Sequence, residues 1–405
     1  MTSQGATGTV PGWTVLLIAA ACGLIAANLY FAQPLIGLIG PELGLSPAET
    51  GLIVTMTQVG YGIGLLFVVP LGDLFENRRL ILGVLAVGIL AVLGLALAAR
   101  PHLFLLLCFM TGIGSVSVQI LVPLAAHLAP PAMRGRVVGR VMSGLLLGIM
   151  LARPAASLVT EIAGWRAVFF GAAGLLVLLA LLLAVCLPER RPEARLGYGA
   201  LILSMGRLVR DTPLLRRRAL YQALMFGSFS LFWTTAPLYL ASPAFGLTQG
   251  GIALFALAGV AGAIAAPIAG AAADRDLARS GTAIAMLSGV VAYLLSHLGG
   301  AGSALALGGM VACGVLLDFG VTGCLVFSQR AIYGLSDEAR NRLNGLFMAT
   351  FFGGGAIGSA LGAWVFAHYG WGATSLVGMA APALALALHG LETLSRRARP
   401  APAGR

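Results

Sequence analysis

The sequence predicts an all-α integral membrane protein: twelve transmembrane helices in two six-helix, pseudo-symmetric bundles. Three observations carry this. The composition is too poor in charge for a water-facing surface, the chain divides into twelve apolar runs, and its two halves repeat each other. Of 405 residues, 59% are hydrophobic and 10% charged, and mean hydropathy is +0.95. A soluble domain carries about 25% charged residues. A bilayer must therefore supply the missing apolar solvent.

A spanning helix needs roughly 20 apolar residues. Cutting at charges and at Gly/Pro breaks places spans at 13–38, 50–72, 80–99, 103–128, 138–160, 167–187, 218–241, 249–273, 281–299, 303–328, 343–367 and 372–393. Ala219–Ala273 carries no charge but is too long for one helix, and "ASPAFGLTQGG" divides it. "GGAGS" (299–303) and "HYGWG" (368–372) divide two further runs. No cleavable signal is evident, because the first run is long enough to span and no basic residue precedes it.

The net charge is +11 and all 25 basic residues are arginine. With the N-terminus inside, 22 of the 25 fall on inner segments; Arg100 and Arg166 are outside, and Arg153 lies within a span. This is a strong positive-inside pattern. Topology thus accounts for the basic charge, and nucleic acid is not needed as a partner. The five cysteines all sit in apolar stretches without metal-ligand spacing, as small core residues do.

The longest inner segment, Pro188–Arg218, holds eight arginines against Glu189, Glu193 and Asp211. Its middle, "LGYGALILSMGRLVRDTP", can form an amphipathic helix on the inner leaflet. It reads as a linker. "GLSPAETGLIVTMTQVGYGIGLLFVVPLGD" (44–73) parallels "GLTQGGIALFALAGVAGAIAAPIAGAAAD" (246–274), and "GWRAVFFGAAG" (164–174) parallels "GWGATSLVGMA" (370–380). The expected organisation is an N-terminal bundle over 1–187, a cytoplasmic linker over 188–217, a C-terminal bundle over 218–394 and a cytoplasmic tail over 395–405. Duplicated halves around a midplane site are the architecture of alternating-access transporters.

With this duplication and a charged loop after the second span, the chain resembles the major facilitator superfamily over nearly its whole length. That family's loop reads roughly Gly-x-x-x-Asp-Arg-x-Gly-Arg-Arg. Here "PLGDLFENRR" keeps Asp73, Arg78 and Arg79, has Leu74 where Arg is usual and Glu76 for a small residue, and is one residue longer. The second half carries a fainter copy, "GAAADRDLARS", with Asp274, Arg275 and Arg279. An ordinary positive-inside loop would explain the arginines but not Asp73 at a helix end beside Glu76. The resemblance implies that this loop bridges the halves on the inner face, with Asp73 facing Arg340 and Arg342 at the start of span 11.

Span 1 contains "NLYFAQPL" (28–35), similar to the first span of a branch of bacterial drug and metabolite exporters. Asn28, Tyr30 and Gln33 are costly in lipid unless they face protein or water, and Pro34 kinks or unwinds the helix. Span 7 has "FWTTAPLY" (232–239), with Trp233, Thr234 and Tyr239. The resemblance implies that spans 1, 4, 7 and 10 line the central cavity. Span 4 offers Gly112, Ser115, Gln119 and Pro123 on one face, and span 2 adds Gln58 and Tyr61. Each polar residue alone is equally explained by an interhelical hydrogen bond; together they read as a cavity lining.

Arg153 lies roughly fifteen residues into span 5, where an arginine costs about 2.5–3.5 kcal/mol on insertion scales. Gly144, Gly148, Ala152 and Ala155 form a small-residue stripe for close packing, and at 100° per residue Arg153 points the opposite way from Gly144. A snorkelling or structural arginine is the alternative. Asp318, in span 10, is the one acid in a span interior, sharing a face with Gly314 and Thr322. Its depth differs from that of Arg153 by about 7 Å, so a pair is geometrically allowed. The expectation is that these two form the charged centre of the transport site and couple it to protons.

Two departures from the antiporter pattern qualify the resemblance. Cys108 stands where the family often has an intramembrane Arg, and "RPAAS" replaces Gly-Pro-x-x-Gly-Gly. Gly60 and Gly64, and Gly354, Gly358 and Gly362, are packing stripes. His127, His297 and His389 read as solvated or locally bonded, and Trp165 and Trp371 as interfacial anchors. No HExxH, GxSxG or phosphate-loop motif occurs, so an enzyme is not expected. The expected protein is a secondary transporter, without cofactor and driven by the proton gradient. It would export drug-like or metabolite compounds as a monomer in the bacterial cytoplasmic (inner) membrane, with both termini cytoplasmic. Its partners would be a small-molecule substrate and membrane lipid. An uptake symporter or uniporter for an anionic or polar metabolite is the close competitor, and a non-transporting receptor the alternative of another class.

Overall fold

A computed structural model describes residues 12–130, 133–192, 197–275, 277–336 and 339–397, with the side chains of 261–263, 274, 396 and 397 excepted. Every regular element among them is helical. The first span is broken: α1 (Gly12–Ala27) ends before a run of turns, a single 3-10 turn covers Gln33–Leu35, and α2 (Ile36–Glu42) completes it. Pro34 lacks the N–H that a continuous helix would use there. The next spans are α3 (Leu52–Phe67), tightening into a 3-10 turn at Val69–Asp73, and α4 (Asn77–Leu97). Span 4 is split into α5 (Pro101–Ser115) and α6 (Val118–Leu128), and α7 (Arg134–Ala163) and α8 (Trp165–Cys186) follow.

The linker folds as α9 (Tyr198–Asp211), burying Leu201 and Met205 while Leu203 is exposed. The second half begins with α10 (Pro213–Ala241), an unbroken helix despite Pro237. Span 8 is α11 (Gln249–Ala256), a 3-10 turn and α12 (Gly262–Asp274); α13 (Ala278–Leu295) and α14 (Ala304–Tyr333) follow. The run Arg340–Arg397 is two helices, α15 (340–369) and α16 (371–397), because Gly370 breaks it at φ 70° and ψ −168°. Ten of these stretches are individually long and apolar enough to cross a membrane. Dividing one at Gly370 and adding the broken first span makes twelve. Several helices run past the apolar runs on their arginine-bearing ends: α7 starts at Arg134 and α10 at Pro213. The membrane edge limits hydropathy but not backbone hydrogen bonding.

The repeat is visible in the backbone. Gly164, between α7 and α8, has φ 82°, and Gly370, between α15 and α16, has φ 70°. The Gly-Trp pair of both halves is thus a left-handed break that a residue with a Cβ adopts poorly.

The chain forms two compact units. The first comprises the described residues up to Ser46, then Leu52–Arg207 and Thr248–Leu257; the second comprises Pro47–Gly51, Leu208–Leu247 and the described residues from Ala258 onward. Each half therefore lends a short segment to the other unit, and the two segments follow equivalent motifs, "GLS" and "GLT".

Within each unit one helix pair is held at backbone contact. In unit 1, a Cβ on Gly148 would lie 2.3 Å from the Gly23 carbonyl oxygen, and one on Gly144 would lie 2.5 Å from that of Ala19. In unit 2, a Cβ on Gly358 would lie 2.0 Å from the Gly227 oxygen, and one on Gly354 would lie 2.2 Å from that of Ala223. The stripes read from the sequence thus join α1 to α7 and α10 to α15. Without a hydrophobic drive between helices in lipid, such close packing supplies the association. Gly148→Leu should therefore lower the melting temperature sharply, a loss of roughly 1–3 kcal/mol or more. Gly171→Ala, where a Cβ meets nothing within 4 Å, should leave it unchanged; the same drop in both variants would contradict this packing.

Candidate functional site

In unit 1 the break in span 1 exposes polar groups to the protein interior. Asn28 Nδ2 donates to the Leu24 and Ile25 carbonyls at 2.8 and 3.3 Å, satisfying acceptors that the end of α1 releases. Its Oδ1 is buried and has no hydrogen-bond partner among the described residues. Past the break, Gln33 is buried and its Oε1 accepts from Arg153 Nε at 2.7 Å. The guanidinium also stands 4.9 Å from the Tyr30 ring centroid. Arg153 is only 4% exposed. A hydrogen bond to a charged group contributes about 1.5–3 kcal/mol and a desolvated cation–π contact about 2 kcal/mol. Together these meet or exceed the insertion cost of about 2.5–3.5 kcal/mol.

The packing face and the arginine of α7 both meet span 1, at different places. Arg153 points away from Gly144 on a wheel, yet its guanidinium still meets span 1. The reason is that span 1 is not a straight rod: α1 packs on the glycines, and the unwound stretch after it reaches Arg153. Span 4 also differs from the single face drawn for it. A Cβ on Gly112 would lie 2.1 Å from the Thr57 carbonyl oxygen, so Gly112 packs on α3. The Ser115 hydroxyl donates to Thr111 O within its own helix, and the helix is interrupted before Val118. Beyond the interruption Gln119 Nε2 donates to the Tyr61 hydroxyl at 3.0 Å. Gln58 is buried nearby on α3.

In unit 2 the charge is Asp318, 7% exposed. Trp233 Nε1 donates to its Oδ2 at 3.2 Å. A Cβ on Gly259 would crowd the Trp233 ring at 3.2 Å and reach Oδ2 at 3.4 Å, whereas one on Gly314 would make an ordinary contact with that ring at 3.5 Å. Thr234 is fully buried. Tyr239 stacks on Trp371 with centroids 5.0 Å apart and planes 4° apart.

The two tryptophans read as interfacial anchors are buried instead. Trp165 is 5% exposed, packs edge-on against Phe104 and Phe169, and donates Nε1 to Glu42 Oε2 at 2.6 Å. Arg166 pairs with the same carboxylate. Trp371 is 7% exposed, and its buried Nε1 has no hydrogen-bond partner among the described residues. Hydropathy at a helix end does not reveal which side faces lipid. Of the histidines, His297 meets Ser375 Oγ at 2.7 Å, and His389 donates to Arg279 O at 3.1 Å.

The charged loop resolves into separate roles. Glu76 caps α4, its oxygens accepting from the Arg78 and Arg79 backbone N–H at 2.8 Å each and from Arg190 N at 3.3 Å. The Arg78 guanidinium donates to the Leu187 and Ala184 carbonyls at the end of α8. Asp73 is exposed at the end of its 3-10 turn. In the second copy Arg275 and Arg279 are exposed, and the Asp274 side chain lies outside the described residues. Arg340 stands 5.8 Å from the Tyr333 ring, and Arg342 is half-buried.

Three acids carry contacts that the sequence reading missed. Glu42 binds Trp165 and Arg166, and Glu161 Oε2 accepts from Gly250 N at 3.1 Å. Glu392 takes Arg217 at 3.1 Å and the Tyr221 hydroxyl at 3.0 Å. All lie at span ends, and an acid placed among arginine-bearing ends was the signal available.

Twelve spans in duplicated order, a broken first span and, among the described residues, one buried charge of opposite sign in each unit define a multi-pass membrane transporter. The sequence profile described as Major Facilitator Superfamily matches residues 16–332, and the chain belongs to that superfamily. It is 42% identical over 368 residues to the uncharacterized transporter YgaY of Escherichia coli O157:H7, covering 90% of this chain and 91% of the relative. It is 34% identical over 379 residues to the probable transporter SCO4007 of Streptomyces coelicolor, covering 92% and 86%. Its fold matches a bacterial homolog of the human lysosomal transporter Spinster (TM-score 0.74, 16% identity, 98% of this chain and 100% of the other). It also matches the nucleoside transporter NupG (TM-score 0.74, 13% identity, 93% and 99%).

Two stability measurements in detergent follow. Gln33→Leu strips the buried Arg153 Nε of its acceptor and should cost about 1.5–3 kcal/mol, read as a lower melting temperature that Gln33→Glu restores. For Glu76, burial pushes its carboxyl up, but the backbone N–H groups of Arg79, Arg78 and Arg190 outweigh it and hold it below the usual glutamate value of 4.5. A lowered folded value means stabilisation that is complete above the unfolded value and lost as pH falls through the folded one. The melting gap between wild type and Glu76→Gln should be widest near neutral pH and close as pH falls through the lowered carboxyl value; a gap constant with pH would contradict this role.

Proposed function

We propose that this transporter exports small drug-like or metabolite compounds across the bacterial cytoplasmic membrane by proton-coupled alternating access, as a monomer with both termini inside. One observation carries the reading: each unit buries one mid-span charge of opposite sign bonded to an uncharged side chain, Arg153 to Gln33 and Asp318 to Trp233. A buried ionisable residue in a span marks a substrate or proton route by default. In this reading Asp318 takes up and releases the proton, and Arg153 supplies the fixed positive charge. Asn28, Tyr30, Gln33, Gln58, Tyr61, Gln119, Trp233, Thr234 and Tyr239 contribute walls for a small amphipathic molecule. The arginine distribution favours the inward placement of both termini.

A second reading has its own observation. Arg153 is buried beside an aromatic ring, which equally suits capture of a substrate carboxylate during uptake. Tracer flux in cells against inverted vesicles separates export from uptake, once thermal stabilisation across a compound panel has supplied a ligand.

In proteoliposomes, Asp318→Asn should abolish substrate-driven proton movement while leaving ligand-induced stabilisation in place. Unchanged coupling would remove Asp318 from the proton route. For the inner loop, Asp73→Asn should reduce transport while membrane insertion and melting temperature stay near wild type; undiminished transport would return that loop to a topological role.

A further inference from the structure

The inner end of spans 2 and 3 carries a groove, wholly within unit 1, for which the transport reading has no use. Its volume is about 620 Å3. Leu71, Leu74 and Leu80 line it, and Phe75 joins them although it is 57% exposed. Glu76, Arg79, Arg191 and Pro192 complete the lining.

The charges around this groove do not cancel. The Glu76 carboxylate is directed onto three backbone N–H groups of α4 and the linker. Arg78 is turned away onto the carbonyls that end α8. Arg79 remains 76% exposed, with its Nε 3.9 Å from the nearest Glu76 oxygen. The Arg191 guanidinium has no hydrogen-bond or ion-pair partner among the described residues. Two guanidinium groups therefore border an apolar trough.

We propose that this groove binds an anionic phospholipid of the inner leaflet, its phosphate between Arg79 and Arg191 and an acyl chain along Leu71, Leu74 and Leu80. A soluble anion would use the arginines but leave the leucines and Phe75 against water. A zwitterionic lipid would fill the trough but carry its own cation beside two arginines. An anionic headgroup with its chain satisfies both parts, and each arginine near an anionic surface adds about fivefold in affinity. The proposal rests on the transport reading only for the inward placement of this loop.

Phe75→Trp in full-length protein supplies a reporter, read as fluorescence above that of the parent. In nanodiscs, brominated phosphatidylglycerol in a phosphatidylcholine background should quench the added signal at about one twenty-fifth of the mole fraction that brominated phosphatidylcholine needs. Adding Arg191→Gln should weaken that preference about fivefold, and adding Arg79→Gln as well should bring the two curves together. If the double variant fails to fold, the Arg191→Gln curve decides. Three results would overturn the proposal: coincident curves in the Phe75→Trp protein, a preference that survives both substitutions, or displacement of the lipid by millimolar inorganic phosphate. None of these readings depends on transport, so failure here is distinct from failure of the Asp318 experiment.

Discussion

A methyl group on Gly148 would sit 2.3 Å from the Gly23 carbonyl oxygen, and one on Gly358 would sit 2.0 Å from that of Gly227. The rest of each unit depends on these two backbone contacts. A bilayer offers no hydrophobic gain for bringing apolar helices together, so packing surfaces and polar contacts must do it. In unit 1 the contact fixes α1 against α7 just before α1 ends, which leaves the unwound Asn28–Pro34 stretch beside Arg153. In unit 2 the equivalent contact fixes α10 against α15, and the opposite side of α10 presents Trp233 to Asp318.

The two units solve the same electrostatic problem with different means. Unit 1 breaks a helix and uses a side-chain amide and a phenol ring around a cation. Unit 2 keeps α10 continuous and uses an indole N–H toward an anion, with Gly259 packed close against the indole. A guanidinium presents several donors and a broad face, so it needs an acceptor and a ring. A carboxylate needs donors, and the indole supplies one without adding charge. Duplication thus preserved the packing while the polar centres diverged.

The inner loop shows how charges that look alike in sequence are divided by structure. Glu76 belongs to a helix cap, Arg78 to the end of α8, and Arg79 to an open groove. Asp73, like Arg79, is exposed. A single label for the whole loop would obscure three different physical roles.

Composition, the twelve apolar runs and the arginine alternation were enough to define the fold class, because hydropathy and charge placement are set residue by residue against the bilayer. The glycine stripes and the paired Gly-Trp breaks were also legible, since spacing on one helix determines which residues share a face. Arg153 and Asp318 stood out because a charge in a span is costly wherever it is. What they touch was decided only in three dimensions. Gln33 lies 120 residues from Arg153 and Trp233 lies 85 from Asp318, and nothing along the chain ties those positions together. The burial of Trp165 and Trp371, the capping role of Glu76, and the exchange of Pro47–Gly51 and Thr248–Leu257 between units are of the same kind. They follow from which helix faces meet, and in a chain this uniformly apolar, hydropathy cannot distinguish a face turned to lipid from one turned to protein.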